Sequence, residues 1–176
     1  VMAFGGMLVV NVLAACTPYI GGQRTGDIAK LARTYADPQP YAFSIWSLIY
    51  MTLFFFVIAP FIDPLSVIIV NEVGPLFTVI AVLNILWLIL WGHRFFIISQ
   101  IVLFTYALLT FLLYQRTTHT TNNRTIFQKI AFEIGPALHF GWLLCACAVS
   151  IPFIVRITKN KLLSPEITSA ILFLPL

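Results

Sequence analysis

Polar positions in this chain are few and clustered, and the apolar stretches between them are long. Residues 2–20, 41–62, 73–92, 95–115 and 134–155 are nearly unbroken runs of aliphatic and aromatic side chains. Each is close to the roughly 20 residues that a helix needs to cross the hydrocarbon core of a bilayer. Gly21-Gly22 closes the first run and Asp63-Pro64 the second. A membrane barrel would show short alternating strands instead, and the chain has none. Ser164-Pro165-Glu166 has the form of a helix start: a capping hydroxyl, a proline in the first helical position and an early acid. The pattern predicts an all-α polytopic membrane bundle of five transmembrane helices plus the start of a sixth. Residues 1–155 form the five-helix domain, and 156–176 a loop and the truncated start of the sixth helix. Both ends read as truncated, since the chain opens on Val1 and stops inside the apolar run 170–176.

Composition sharpens this picture. Of 176 residues, 60% are hydrophobic and 9% charged, against about 25% charged in a soluble domain. A water-exposed surface cannot be built from so few charges. The net charge of +4 falls between the spans and reflects topology rather than nucleic-acid binding. Arg24, Lys30, Arg33, Arg94, Arg156, Lys159 and Lys161 fall on one side, and Arg116, Arg124 and Lys129 on the other. The positive-inside rule therefore places loop 21–40 on the cytoplasmic-type side.

Within the spans, a few side chains stand out. Trp46 and Tyr50 are four apart and share a face of the second span. Asn84, Trp87 and Trp91 follow helical spacing in the third, and Trp142, Ala146 and Ser150 in the fifth. Indoles, small residues and an amide turned inward suit a flat, mostly apolar ligand: rings stack on its faces and a polar group fixes its edge. The competing reading is an interfacial tryptophan belt, which fits Trp46 and Trp91 near span ends better than Trp87 and Trp142. Asn84 at bilayer depth either bonds to a neighbouring helix or contacts a ligand. His139 ligates the metal of a haem or chlorophyll, or is hydrogen-bonded within the bundle. Glu133 suits the dipole at the start of the fifth helix.

Other chemistry is sparse. Cys145 and Cys147, two apart on a helix, point to nearly opposite sides and cannot chelate one metal; with Cys16 they read as packing residues. No carboxylate pair, nucleophile–base arrangement, phosphate loop or metal cluster is present, and the spans hold no acid chain of a proton pump. The expectation is a protein that is not an enzyme. Asn123-Arg124-Thr125 matches a glycosylation acceptor, and Leu112-Leu113-Tyr114-Gln115-Arg116 a proposed cholesterol-contact pattern.

Three motifs in register resemble the tryptophan-rich sensory protein family, TspO, also called the translocator protein family, in its divergent branch with extra C-terminal helices. A proline-punctuated loop (Pro38, Pro40) leads to Phe43, Trp46 and Tyr50; Leu83-Asn84-Ile85-Leu86-Trp87 follows; then come Trp142, Ala146 and Ser150. The sequence has Pro38-Gln39-Pro40-Tyr41 where the family has Pro-Pro-Trp, and Ser150 where it has Asn. The resemblance implies a five-helix bundle with a pocket opening toward loop 21–40, which would act as a lid hinged at Pro38–Pro40. It implies porphyrin, haem, sterol or drug-like aromatic ligands, and dimerisation through helix faces.

Two functions compete at this point. The first is a sensing or transport protein binding a tetrapyrrole or sterol through Phe43, Trp46, Tyr50, Asn84, Trp87, Trp142, Ala146 and Ser150. The alternative is a non-catalytic accessory or structural subunit of a large respiratory or photosynthetic membrane complex, with Phe54, Phe55, Phe56, Phe95 and Phe96 facing partners. An oxidoreductase acting on bound porphyrin ranks last. No cofactor is required, and porphyrin, haem, chlorophyll or sterol is the candidate bound group. Expected partners are membrane lipids and a second copy or a larger complex, but no nucleic acid. An organellar membrane, mitochondrial or plastid, is favoured over the plasma membrane.

Overall fold

The computed structural model describes residues 1–32, 40–119 and 124–162. All regular structure among them is helical. The elements are α1 (Met2–Cys16), α2 (Thr25–Ala29), α3 (Ile45–Ile62), α4 (Pro64–Gly92), α5 (Phe96–His119), α6 (Ile126–Lys129) and α7 (Gly135–Leu162). Tighter turns lie within the first loop at Lys30–Ala32 and at its end at Pro40–Ser44, and a wider turn at Ile130–Ile134 joins α6 to α7.

Four helical runs are long and apolar enough to cross a membrane: Tyr41–Ile62, Ser66–Gly92, Phe96–His119 and Ile126–Lys159. The first expected span is an apolar helix of 15 residues, about 22 Å long at 1.5 Å per residue and so short of a full crossing. The expected sixth helix at 164–166 and the acceptor Asn123 lie outside the described residues, as do Pro38 and Gln39.

Two span boundaries differ from expectation. The third span was expected from Val73, after a loop over 63–72. Instead α4 begins at Pro64, and Asp63 alone separates it from α3. Asp63 ends α3 in an extended conformation (φ −139°, ψ 122°). Its carboxylate then caps α4, accepting from the Ser66 backbone N at 3.2 Å and from Ser66 Oγ at 2.9 Å. Pro64 fits the first helical position because no N–H is needed there. Asn71 and Glu72, whose polarity suggested a loop, lie exposed on the surface of this long helix. The fifth span likewise begins earlier. Thr125 and Gln128 form a reciprocal capping box, and helix continues from Ile126 to Leu162 through the Ile130–Ile134 turn. Glu133 therefore lies inside this turn and pairs with Arg124 at 3.1 Å, rather than facing a helix N-terminus.

The core runs through α1, α3, α4, α5 and α7. Phe56 stacks on Phe77 (ring centroids 4.8 Å) and meets the edge of Phe132 (5.4 Å). Phe56 and Phe96 are buried, which removes both from the set of partner-facing rings; Phe54 and Phe95 are exposed. Ile97, Ile98, Ile101, Phe104 and Leu108 present an apolar outer face on α5, which suits lipid as the surrounding solvent.

Glycine sets two close approaches. A Cβ on Gly135 would lie 3.1 Å from Thr52 Cβ, so the start of α7 nests against α3. At the opposite end Gly21, with φ +75°, places its backbone where a Cβ would come within 1.9 Å of the Gly92 carbonyl oxygen. This contact seats the first loop on the end of α4. Arg94 Nη2 reinforces it with a bond to Gln23 Oε1 at 3.0 Å, and Ile28 packs with Trp91, Phe96 and Phe153. The loop, the α4–α5 turn and the later part of α7 thus gather at one end of the bundle.

Candidate functional site

At this loop-bearing end the turn Pro40–Ser44 feeds directly into α3, so the rings of the first α3 turns face α7. Phe43 meets Trp142 edge-on at 6.0 Å between ring centroids, and Trp46 meets Trp142 edge-on at 6.1 Å. Trp46 also stacks on Tyr50 at 5.4 Å and touches the His139 ring at 6.3 Å. The T-shaped geometry is the one that ring quadrupoles favour. Burial increases inward: Phe43 is 43% exposed and His139 is 1% exposed, with Trp46 and Trp142 between them.

Behind the rings lies a polar chain, buried from Asn84 onward and part-buried at Asn11, that crosses four helices. Asn11 Nδ2 on α1 donates to the Met7 carbonyl at 2.8 Å and to Asn84 Oδ1 on α4 at 2.6 Å. Asn84 Nδ2 donates to the Tyr106 hydroxyl on α5 at 3.2 Å. The Tyr106 hydroxyl is in turn hydrogen-bonded to His139 Nε2 on α7. Asn84 and Tyr106 are fully buried, so each amide and hydroxyl must find a partner inside the bundle. Two polar atoms at the inner edge of the rings have no partner among the described residues: the Tyr50 hydroxyl and His139 Nδ1.

The remaining sequence-predicted positions divide. Trp87 packs against the main core and pairs with Trp91 at 6.3 Å; no ring pair among the described residues joins it to Trp46 or Trp142. Ala146 lines α7 one turn beyond Trp142 and also packs on the main core. Ser150 is buried, but its hydroxyl turns back onto its own helix, at 2.7 Å from the Ala146 carbonyl and 3.0 Å from that of Cys147. Trp91 is not a belt residue. It is 8% exposed and enclosed by Phe96 at 5.2 Å and Phe153 at 5.0 Å.

Sequence reasoning missed Asn11 and Tyr106. The argument that singled out Asn84 applies equally to Asn11, an amide inside an apolar run. Tyr106 carried a weaker signal, a hydroxyl near the middle of a span.

Composition, long apolar helices and an internal polar chain define an integral membrane protein built as a helical bundle. The family model for TSPO-like proteins matches residues 1–175, and the chain belongs to that family. No curated protein and no solved structure matched the chain.

Proposed function

We propose that this TSPO-like protein binds a flat, mostly apolar ligand of the tetrapyrrole or sterol class, between α3 and α7, for sensing or transport. One observation carries the reading. The Phe43–Trp46–Trp142 rings lead from the half-exposed Phe43 to the His139 Nδ1 and the Tyr50 hydroxyl, two buried polar atoms with no partner among the described residues. Rings supply contact area at low entropic cost, and a buried unpaired polar atom supplies orientation. The loop seated on Gly92 would act as the lid, and the cation-rich end would face the cytoplasmic side of an organellar membrane.

The experiment is a titration of purified protein in lipid nanodiscs with protoporphyrin, following tryptophan fluorescence. Saturable quenching that weakens in Trp142→Phe is expected. Quenching that never saturates, or is unchanged in the variant, would contradict the reading.

A second reading rests on the same rings. Trp46 and Trp142 already touch, so a ligand must part them. Rings packed to stay together would suit an accessory subunit of a large membrane complex. Co-migration with such a complex after mild detergent extraction would favour that role, and a monomer or small dimer the first.

A further inference from the structure

The polar chain has a direction. It begins at the Met7 carbonyl, which can only accept. Asn11 must therefore turn its Nδ2 toward Met7, and this same nitrogen is the atom 2.6 Å from Asn84. Asn84 must answer with its oxygen, which leaves its own Nδ2 to donate to the Tyr106 hydroxyl oxygen. Tyr106 then has one proton to place. The Tyr50 hydroxyl is unpartnered, so the acceptor in reach among the described residues is His139 Nε2. A neutral imidazole that accepts at Nε2 carries its proton on Nδ1. This Nδ1–H is buried, has no partner among the described residues and lies beside Trp46.

We propose that the Asn11–Asn84–Tyr106 chain locks His139 as the Nδ1–H tautomer, and that this N–H binds a neutral acceptor oxygen on a rigid apolar ligand lying among Phe43, Trp46 and Trp142. The proposal rests on the ring cluster being a ligand site and narrows what that site takes. A ketone, ester or hydroxyl oxygen fits. A carboxylate does not, because a buried anion facing one neutral donor is left largely uncompensated. A porphyrin metal does not, because the Nε2 lone pair is engaged by Tyr106 and Nδ1 is protonated. His139 thus acts as an orienting donor, and Tyr106, Asn84 and Asn11 are positioning residues that act through it.

Two readouts test this. The first is ¹⁵N NMR of histidine-labelled protein in nanodiscs, with the exposed His93 and His119 replaced by Gln to leave one imidazole. Protonated Nδ1 and unprotonated Nε2 are expected, and Tyr106→Phe should release the ring into a mixture of tautomers. Protonation at Nε2 in the parent protein would overturn the proposal. The second compares cholestanone with cholestane, its oxygen-free parent, as competitors that displace protoporphyrin and so relieve its quenching of tryptophan fluorescence. Cholestanone should bind about tenfold more tightly, the effect of one hydrogen bond of ordinary net strength. His139→Phe keeps a ring in place and should erase this preference; Tyr106→Phe, which leaves His139 intact, should reduce it. Equal binding of both steroids, or a preference that survives in His139→Phe, overturns the proposal while leaving the ligand site standing. No saturable binding of either steroid or of protoporphyrin removes the site and the proposal together.

Discussion

Asn84→Ala is the most informative single perturbation of the bundle. The amide has no solvent exposure and ties three helices, accepting from Asn11 on α1 at 2.6 Å and donating to Tyr106 on α5 at 3.2 Å. Interhelical hydrogen bonds in membrane bundles contribute about 0.6 kcal/mol on average and about 1–2 kcal/mol at the upper end. Two such bonds give about 1–3 kcal/mol. The orphaning penalty is limited, because Asn11 keeps its bond to Met7 and Tyr106 its bond to His139. The expected loss is therefore about 2 kcal/mol. It can be read from equilibrium unfolding in mixed micelles at increasing SDS, followed by circular dichroism. A cycle with Asn11→Ala isolates one bond: the double variant should lose less than the sum of the singles, by about 0.5–1 kcal/mol. Stability within about 0.5 kcal/mol of the parent, or strict additivity in the cycle, would refute the claim that this chain joins the helices.

Three further changes probe the frame around the site. Asp63→Ala removes the α4 cap and the carboxylate that accepts from Gln128; a loss of about 1–2 kcal/mol is expected in the same unfolding assay. Gly21→Ala forces a Cβ to within 1.9 Å of the Gly92 carbonyl at φ +75°. The loop should detach from α4, seen as faster proteolysis between residues 17 and 32 with the long helices intact. Glu133→Gln removes the negative charge facing Arg124, whose side chain is 1% exposed. Glu133 itself is 36% exposed, so solvent screens the pair and the loss should be about 1 kcal/mol; Arg124 keeps its bond to the Thr117 carbonyl.

The spans were legible because a bilayer demands long apolar helices, and residues 41–62 and 96–115 lie in such helices as read. Boundaries were less legible where one residue does two jobs. Asp63-Pro64 reads as a loop from composition, yet it ends one helix and caps the next, and only the Ser66 contacts distinguish the two. Trp46 and Tyr50 stack on one face of α3, as helical periodicity fixes, whereas their meeting with Phe43 and Trp142 depends on α7 packing beside α3. The polar chain was only half legible. Asn84 announced itself by its depth, but its partners depend on which helices are neighbours, and sequence alone does not order helices in a bundle. Trp91 shows the same limit: proximity to a span end suggested a membrane interface, whereas Phe96 and Phe153 enclose it.

The central claim is that a ligand lies between α3 and α7 and not on the outer faces of the bundle. Photo-crosslinking with a diazirine-bearing sterol, followed by mass-spectrometric mapping, tests this most directly. Labelling of α3 and α7 within a turn of Trp46 and Trp142, competed away by excess unlabelled sterol, is the expected result. Labelling confined to the lipid-facing side of α5, around Ile101, Phe104 and Leu108, and insensitive to competitor, would contradict it.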